Sequence, residues 1–205
     1  RELKATPALR GMQIRYLWAE LETAEGRYDF ASIDQRLEEL AAQGKRLVIQ
    51  VQTKSFDPNW KLVPDYMKTV EYDGGMFAYS AHNKAEGAAR HPGPRGYNIA
   101  LWNSRVRDRL IALFRAMGER YNTHPAFEGI GMIETALGEP LVPFSSDKVD
   151  GFYANLLLVH RQMRAQFPNT MTIQEVNYPR PILATFVGTL KAMGTALSGP
   201  DIFKD

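Results

Sequence analysis

The sequence predicts an α/β protein in which a parallel sheet is covered by helices. Short apolar strands alternate with amphipathic helices along the chain, and repeated βα units require such a sheet. The strands also carry polar side chains toward their carboxyl ends, as expected where a barrel holds a ligand in its upper interior. An open doubly wound sheet is the alternative, but its first βα turn usually carries a Gly-rich phosphate loop, and none is present. The prediction is therefore a partial (β/α) barrel of the TIM type, with about five βα units in a single domain over residues 1–205.

The first part of the chain contains two predicted strands with a helix between them. Residues 12–20 form the first strand, because apolar side chains there alternate with Gln13 and Arg15. An irregular loop leads to a helix over residues 32–44, which opens on a Ser-x-x-Gln capping box and ends at a glycine. The second strand covers residues 46–54, where an apolar face alternates with a mostly polar one.

The rest of the chain continues the alternation after a long interruption. Residues 55–100 show little periodicity and form a predicted long loop, and a connection of that length is usually functional. The elements that follow are a helix over 106–121, a strand over 126–134, a helix over 149–167, a strand over 171–177, a helix over 182–193 and a strand over 195–199.

Composition narrows the range of partners. A formal charge of +2 is too small to indicate nucleic acid or an anionic membrane, and no apolar run approaches the roughly 20 residues of a membrane span. Without cysteine there is no disulfide or thiolate metal site, and the four histidines lack the spacing of a zinc site. We therefore expect no metal and no cofactor, and we expect His160 to be exposed on its helix.

Two expectations concern the cellular compartment and the start of the chain. The absence of cysteine is compatible with any compartment, and a periplasmic or secreted location is favoured over a cytoplasmic one. The chain begins at Arg1 without a visible signal peptide, so we expect an upstream segment to have been removed or left out.

The most informative stretch is the central strand, which ends abruptly in Glu134 and is followed by Glu139. A carboxylate that closes a buried strand is costly unless it is solvated or paired. In parallel α/β proteins the carboxyl end of a strand is where active sites are built. The alternative is a loop glutamate that merely caps the next helix, above all for Glu139 between a glycine and a proline.

Residues 18–51 resemble the second and third βα units of clan A glycoside hydrolases, which are (β/α)8 barrels. Family 42 β-galactosidases of that clan show a similar W-x-x-LE-x-x-x-G-x-YDF pattern, which here begins at Trp18. Pro58-Asn59-Trp60 and the segment GERYNTHP at 118–125 extend the resemblance over most of residues 11–140. It implies a barrel that hydrolyses glycosidic bonds in an oligo- or polysaccharide.

The resemblance also implies where the reacting carboxylates should lie. In the clan the fourth strand ends in an acid/base glutamate preceded by asparagine, whereas this chain has Ile133-Glu134-Thr135. An alignment on the following glycine would instead place Ala136 at the glutamate position. We therefore expect a clan A-like relative that does not belong to family 42 itself.

The clan's nucleophile lies on a seventh strand. Counting residues 12–20 as the second strand makes residues 195–199 the sixth, so we expect the first strand and the last two, the seventh among them, to be missing. The chain is thus expected to be a fragment lacking the remainder of the same chain, a homo-oligomer that completes its barrel with another copy, or a smaller fold derived from a barrel.

Glycoside hydrolysis requires two carboxyl groups, one of which must be protonated. We predict Glu134 as the general acid/base, with the apolar residues before it raising its pKa. Its partner within the chain is Glu139 or Glu175, although Glu175 is equally compatible with an ion pair to a helix outside the sheet. Arg15 is predicted to orient a carboxylate through two hydrogen bonds, or else to form a structural ion pair.

Sugar rings stack on aromatic side chains and hydrogen-bond to amide and charged groups. The residues predicted to bind substrate, besides Arg15, are Trp18, Gln52, Trp60, Tyr66, His82, Asn83, Trp102 and Asn177. Core packing is the competing interpretation for each aromatic residue, above all for Trp18, which shares the apolar strand face. The competing function is a non-catalytic carbohydrate-binding or scaffold protein derived from a glycosidase barrel.

Overall fold

A computed structural model of the chain describes residues 2–80 and 93–199. The strands of this part are β1 (Gly11–Leu17), β2 (Glu22–Ala24), β3 (Arg27–Tyr28), β4 (Arg46–Gln52), β5 (Met76–Ser80), β6 (Gly96–Ile99), β7 (Phe127–Met132), β8 (Glu139–Pro140), β9 (Met171–Glu175) and β10 (Ala196–Ser198). The helices are α1 (Glu2–Ala5), α2 (Trp18–Leu21), α3 (Ala31–Ala41), α4 (Ser104–Tyr121), α5 (Ser146–Gln166) and α6 (Arg180–Ala192). None of the helices in this described part is long and apolar enough to cross a membrane.

A parallel sheet in the order β1-β4-β7-β9-β10 forms the centre of the molecule. The strands lie side by side in their order along the chain, and right-handed crossovers then place the connecting helices on the same side of the sheet. Most of the sheet residues on that side are apolar and buried, among them Leu47, Ile49, Val51, Ile130 and Met132. The α/β class with a parallel sheet, predicted from the sequence, is confirmed.

The other side of the sheet, called the inner face here, carries most of the polar strand residues. Its members include Gln13, Arg15, Gln50, Gln52, Gly129, Gly131, Ile173 and Glu175. They share one face because side chains alternate along each strand and the parallel register aligns Arg15, Gln50 and Gly131 across neighbouring strands. Glycine is required at position 131, because β9 lies so close that a Cβ atom there would be 2.9 Å from the Ile173 carbonyl oxygen.

The segment 55–100 contains two 3₁₀ turns, Asp65–Met67 and Val70–Tyr72, and the strands β5 and β6. β5 pairs antiparallel with both β6 and β8 to form a small second sheet. An isolated bridge between Lys54 and Asn98 joins this sheet to the residues that follow β4. The described parts of the segment predicted as a long loop, residues 55–80 and 93–100, therefore lie against the carboxyl end of the central sheet.

Two element boundaries differ from the sequence prediction. The first strand ends at Leu17, because the Leu17 N–H donates to the Glu20 carboxylate at 2.9 Å and a helical turn begins there. Trp18 consequently lies in α2 instead of a strand. α3 begins at Ala31 with Phe30 at its N-cap, so the predicted Ser-x-x-Gln capping box is not formed.

A buried ion pair connects the loops around α2 to the long helix α4. The Glu22 carboxylate is fully buried and forms a salt bridge with the guanidinium of Arg109. It also accepts hydrogen bonds from the Trp18 indole at 2.8 Å, the Gly26 backbone N–H at 2.9 Å and the Tyr66 hydroxyl at 3.0 Å. With four donors around it, the carboxylate is compensated despite its burial.

Candidate functional site

Three side chains meet at the carboxyl edge of the central sheet. Lys54, Glu134 and Asn177 each lie two residues beyond the end of a strand, namely β4, β7 and β9. These strands are neighbours and run parallel, so their carboxyl ends share one edge of the sheet. Residues distant in sequence are thereby brought within hydrogen-bonding distance.

Glu134 is held by both neighbours. Its Oε1 atom accepts a hydrogen bond from Lys54 Nζ at 2.5 Å, and its Oε2 atom accepts one from Asn177 Nδ2 at 2.6 Å. The side chain is 12% exposed. The apolar setting predicted for Glu134 is wrong, because the apolar residues before it lie on the helix-covered face while Glu134 meets polar groups.

Lys54 is deeply buried at this edge, with 4% of its side chain exposed. Its ammonium group also donates to the Ala136 carbonyl oxygen at 2.9 Å and lies 4.6 Å from the ring centroid of Tyr79. Burial lowers the pKa of Lys54, and the hydrogen bond and negative charge of Glu134 oppose that shift. Burial and the charge of Glu134 together raise the pKa of Tyr79 to about 12.

Glu175, one of the predicted partner carboxylates, ends β9 on the inner face. Its Oε1 atom lies 3.8 Å from Arg15 Nη2, while its buried Oε2 atom has no hydrogen-bond partner among the described residues. The alternative of an ion pair with an outer helix is therefore wrong. The predicted two hydrogen bonds from Arg15 to a carboxylate are also absent from these residues, because Arg15 Nε donates instead to Gln50 Oε1 at 2.6 Å.

Gln52 and Glu139 complete the set of polar candidates. Gln52 is buried at the end of β4, and its Nε2 atom has no hydrogen-bond partner within residues 2–80 and 93–199. Glu139 is exposed on β8, where the Ser80 hydroxyl donates to its carboxylate at 3.4 Å. The structure thus places Gln52 and Glu175 on the inner face and Glu139 in the small second sheet.

Of the predicted aromatic residues, Trp18, Tyr66 and Trp102 contact residues other than Lys54, Glu134 and Asn177. Trp18 is fully buried with its indole bonded to Glu22, so it belongs to the core and presents no surface to a sugar. Tyr66 belongs to the same buried ion-pair cluster. Trp102 packs against Phe77 and Phe144 and donates to Asp73 at 2.8 Å, while Trp60 is 41% exposed in a turn. His82 and Asn83 lie outside the described residues.

His160 is placed differently from the prediction. It is fully buried on α5, where its Nε2 atom lies 2.6 Å from Gln174 Oε1, and burial lowers its pKa to about 4. The prediction of an exposed position was wrong because His160 shares the stripe of Leu156 and Met163, which the helical spacing already places toward the core. Over the described ranges, no group of three or more His, Asp or Glu side chains is placed to hold a metal ion.

Lys54 was missed as a site residue by the sequence analysis. Its signal is present in the pattern, because Gln50, Gln52 and Lys54 form an unbroken polar row on one face of a strand that is otherwise apolar. A buried parallel strand is normally apolar on both faces. A polar row that ends in a lysine therefore indicates a partner carboxylate at the end of a neighbouring strand.

The amino-acid sequence matches the model of one known protein family. The sequence profile of the family Glyco_hydro_42, described as beta-galactosidase, matches residues 12–133, which is more than half of the chain. None of the curated proteins compared with the chain matches it.

Solved structures of glycosidases share the fold. The chain is similar to a beta-galactosidase from Bacillus circulans sp. alkalophilus, with a TM-score of 0.62, 14% identity, and coverage of 94% of this chain and 35% of that one. For a GH42 beta-galactosidase from G. stearothermophilus the TM-score is 0.56 at 15% identity, with 85% and 31% covered. For endo-glycoceramidase II from Rhodococcus sp. the TM-score is 0.52 at 13% identity, with 87% and 52% covered.

The chain spans about a third of the length of these β-galactosidases and about half of the glycoceramidase. Matching a complete glycosidase over only part of its length confirms the predicted fold class, a partial (β/α) barrel of the TIM type.

Proposed function

The chain belongs to glycoside hydrolase family 42, so the expectation of a relative outside that family was wrong. On that premise we propose that it hydrolyses a glycosidic bond of a carbohydrate at the carboxyl edge of its sheet. Glu134 and Glu175 are the two reacting carboxylates in this proposal. Arg15, Gln52 and Asn177 surround them and bind sugar hydroxyl groups, for which their amide and guanidinium groups are suited.

The observation that carries this proposal is a pair of glutamates beyond or at the ends of two neighbouring strands, β7 and β9. In glycosidases one carboxyl group is the general acid, and a second is either the general base or the nucleophile. Beside them, Gln52 Nε2 and Glu175 Oε2 are a buried donor and a buried acceptor that lack partners in the described part of the chain. Unpaired buried polar atoms are costly, so a ligand hydroxyl that accepts from one and donates to the other would compensate both.

Hydrolysis of aryl glycosides and oligosaccharides by the protein in its full natural length tests this proposal. Replacing Glu134 or Glu175 by glutamine keeps the side-chain shape and removes the charge, and each change should lower kcat by about 10²-fold to 10⁴-fold. Glu128→Gln is the matched control, because Glu128 lies at the amino end of β7 in a surface ion pair with Arg46. Equal activity of wild type, Glu134→Gln and Glu175→Gln would contradict the assignment.

A second function, carbohydrate binding without hydrolysis, is favoured by one observation. Ala136 stands where an alignment on the following glycine would place the family's acid/base glutamate. Under this alternative, wild type binds sugars in calorimetry and turns over none of the substrates. Ala136→Glu, which restores a carboxylate at that position, would then be the variant that gains hydrolysis.

A further inference from the structure

We propose that Phe56 is a sugar-binding residue, whose exposed ring stacks on the apolar face of a sugar unit bound beside Glu134. This inference rests on the proposed function and deepens it, because it names the side chain that contacts the apolar part of the substrate. Phe56 was not among the candidate residues identified from the sequence.

Three aromatic side chains of the described ranges are exposed to a similar extent, namely Phe56 and Trp60 at 41% each and Tyr178 at 45%. None of the three belongs to the hydrophobic core. The Tyr178 ring has the Arg180 guanidinium 6.0 Å from its centroid. Single exposed apolar residues are common on protein surfaces, so exposure alone indicates no site. Phe56 is connected to the carboxyl edge through its ring, because Lys54 Nζ lies 5.4 Å from the ring centroid.

The same ammonium group contacts the candidate carboxylate. Lys54 Nζ donates to Glu134 Oε1 at 2.5 Å, so one ammonium group separates the carboxylate from the Phe56 ring. A single sugar unit with its hydroxyl groups can span that gap. Sugars present an apolar C–H face ringed by hydroxyl groups, and they require an aromatic face with polar groups beside it. Phe56, Lys54 and Glu134 provide this combination in one place.

A buried donor without a partner lies on the same strand. Gln52 ends β4 two residues before Lys54 and is 3% exposed, and its Nε2 atom has no hydrogen-bond partner within the described ranges. An unpaired buried donor is costly, and the oxygen of a ligand hydroxyl group would compensate it. The end of β4 and the residues after it therefore combine an unpaired donor with an exposed ring, which suits a sugar better than a purely apolar ligand.

The backbone that carries Phe56 is fixed by β5 and β6. The preceding residue, Ser55, is fully buried, its N–H donates to the Tyr97 carbonyl oxygen at 2.7 Å, and its carbonyl oxygen accepts from the Tyr79 hydroxyl at 2.6 Å. Gly96 permits this close packing, because a Cβ atom there would lie 3.2 Å from Phe56 Cα. An aromatic ring on a fixed backbone loses little conformational entropy when a ligand binds. Phe56 is thus already placed for stacking.

Calorimetry of the protein in its full natural length tests the inference with the methyl thioglycosides of galactose, glucose, mannose and xylose. Sulfur replaces the scissile oxygen in these compounds, so binding is measured without turnover. For a sugar that wild type binds, Phe56→Ala should weaken binding about 10-fold to 100-fold, because the apolar area and the ring face are both removed. Phe56→Leu keeps the apolar volume and should weaken it about 2-fold to 10-fold, whereas Phe56→Tyr keeps the ring and should bind like wild type.

The matched control is Leu158→Ala, because Leu158 is an apolar side chain of almost equal exposure, 40%, on helix α5. Its sugar affinity should equal that of wild type. Thermal unfolding of the same samples should give similar midpoints, since Phe56 lies outside the core, and where Phe56→Ala is destabilised the comparison of Phe56→Leu with Phe56→Tyr decides. Equal affinities of wild type and both of these variants would overturn the inference, and so would a wild type that binds none of the four sugars.

Hydrolysis of the corresponding oxygen-linked glycosides separates this inference from the proposed function. In an active protein, Phe56→Leu should raise KM and leave kcat unchanged, because the ring binds the ground state and the transition state alike. Turnover by Phe56→Ala at the KM of wild type would overturn the inference and leave the proposed function standing. Binding that depends on Phe56, in a protein that hydrolyses none of the glycosides, would support the inference and refute the proposed function.

Discussion

The buried pair of Glu22 and Arg109 provides the sharpest prediction about stability. Arg109→Met keeps most of the aliphatic length of the side chain and removes the guanidinium. The Glu22 carboxylate then remains fully buried with three donors, the Trp18 indole, the Gly26 N–H and the Tyr66 hydroxyl, none of which carries a charge.

The expected cost follows from that geometry. Removing one partner of a buried ion pair costs roughly 3–5 kcal/mol, because the remaining charge is uncompensated. The three neutral donors remain and 18% of the Arg109 side chain is exposed, which places the loss near the lower limit, at about 3 kcal/mol. For a chain of this size that loss lowers Tm by about 6–12 °C.

Urea unfolding measures this cost directly. Trp18 donates to Glu22, so tryptophan fluorescence and circular dichroism can be followed on the same samples. The matched control is Arg36→Met, because Arg36 forms an exposed pair with Glu39 at 2.5 Å and such pairs contribute about 0–1 kcal/mol. The double variant with Glu22→Gln should recover part of the loss, since neither charge is then left alone. If Arg109→Met destabilises the protein no more than Arg36→Met, the reasoning about burial is refuted.

Two further predictions concern the helices. Because burial holds the pKa of His160 at about 4, the unfolded chain takes up a proton first as the pH falls, and stability should drop by roughly 2 kcal/mol between pH 7 and 5. Denaturation at both pH values should show a smaller drop in His160→Gln and an unchanged one in His124→Gln, and equal drops in all three would contradict the assignment. Gly118→Ala should destabilise by about 1–3 kcal/mol, since a Cβ atom would lie 2.7 Å from the Gln166 carbonyl oxygen. Gly188→Ala, a helical glycine with open space around it, should instead stabilise by about 0.5–1 kcal/mol in thermal unfolding, and the same sign for both variants would refute this contrast.

The strands and helices were predictable because their signals are local. Alternation in residues 46–54 and the helical stripe in residues 106–121 depend only on side-chain period, and both elements are present as β4 and α4. The error in the boundary of β1 arose because one side-chain contact changes the backbone from strand to helix. A strand was extended through Trp18 because its apolar character continues the alternation, yet a single hydrogen bond to Glu20 ends β1 at Leu17.

The candidate site was predictable in part. Glu134, Glu175, Gln52 and Asn177 were identified because polar residues stand out at the ends of buried strands. Trp18 and Tyr66 were assigned to sugar binding because their residue type suits it, whereas the fold uses both around Glu22. Residue type indicates what a side chain can bind, but the burial of each position decides whether a ligand reaches it.

By itself the sequence determined the order of βα units, the polar rows at their ends and the family resemblance, since all of these depend only on residue type and spacing. The tertiary structure alone decided that Lys54 meets Glu134, 80 positions away, and that Asn177 meets it from a further 43 positions along the chain. The physical reason is strand pairing. The order and register of β4, β7 and β9 determine which strand ends become neighbours, and no local pattern encodes that distance.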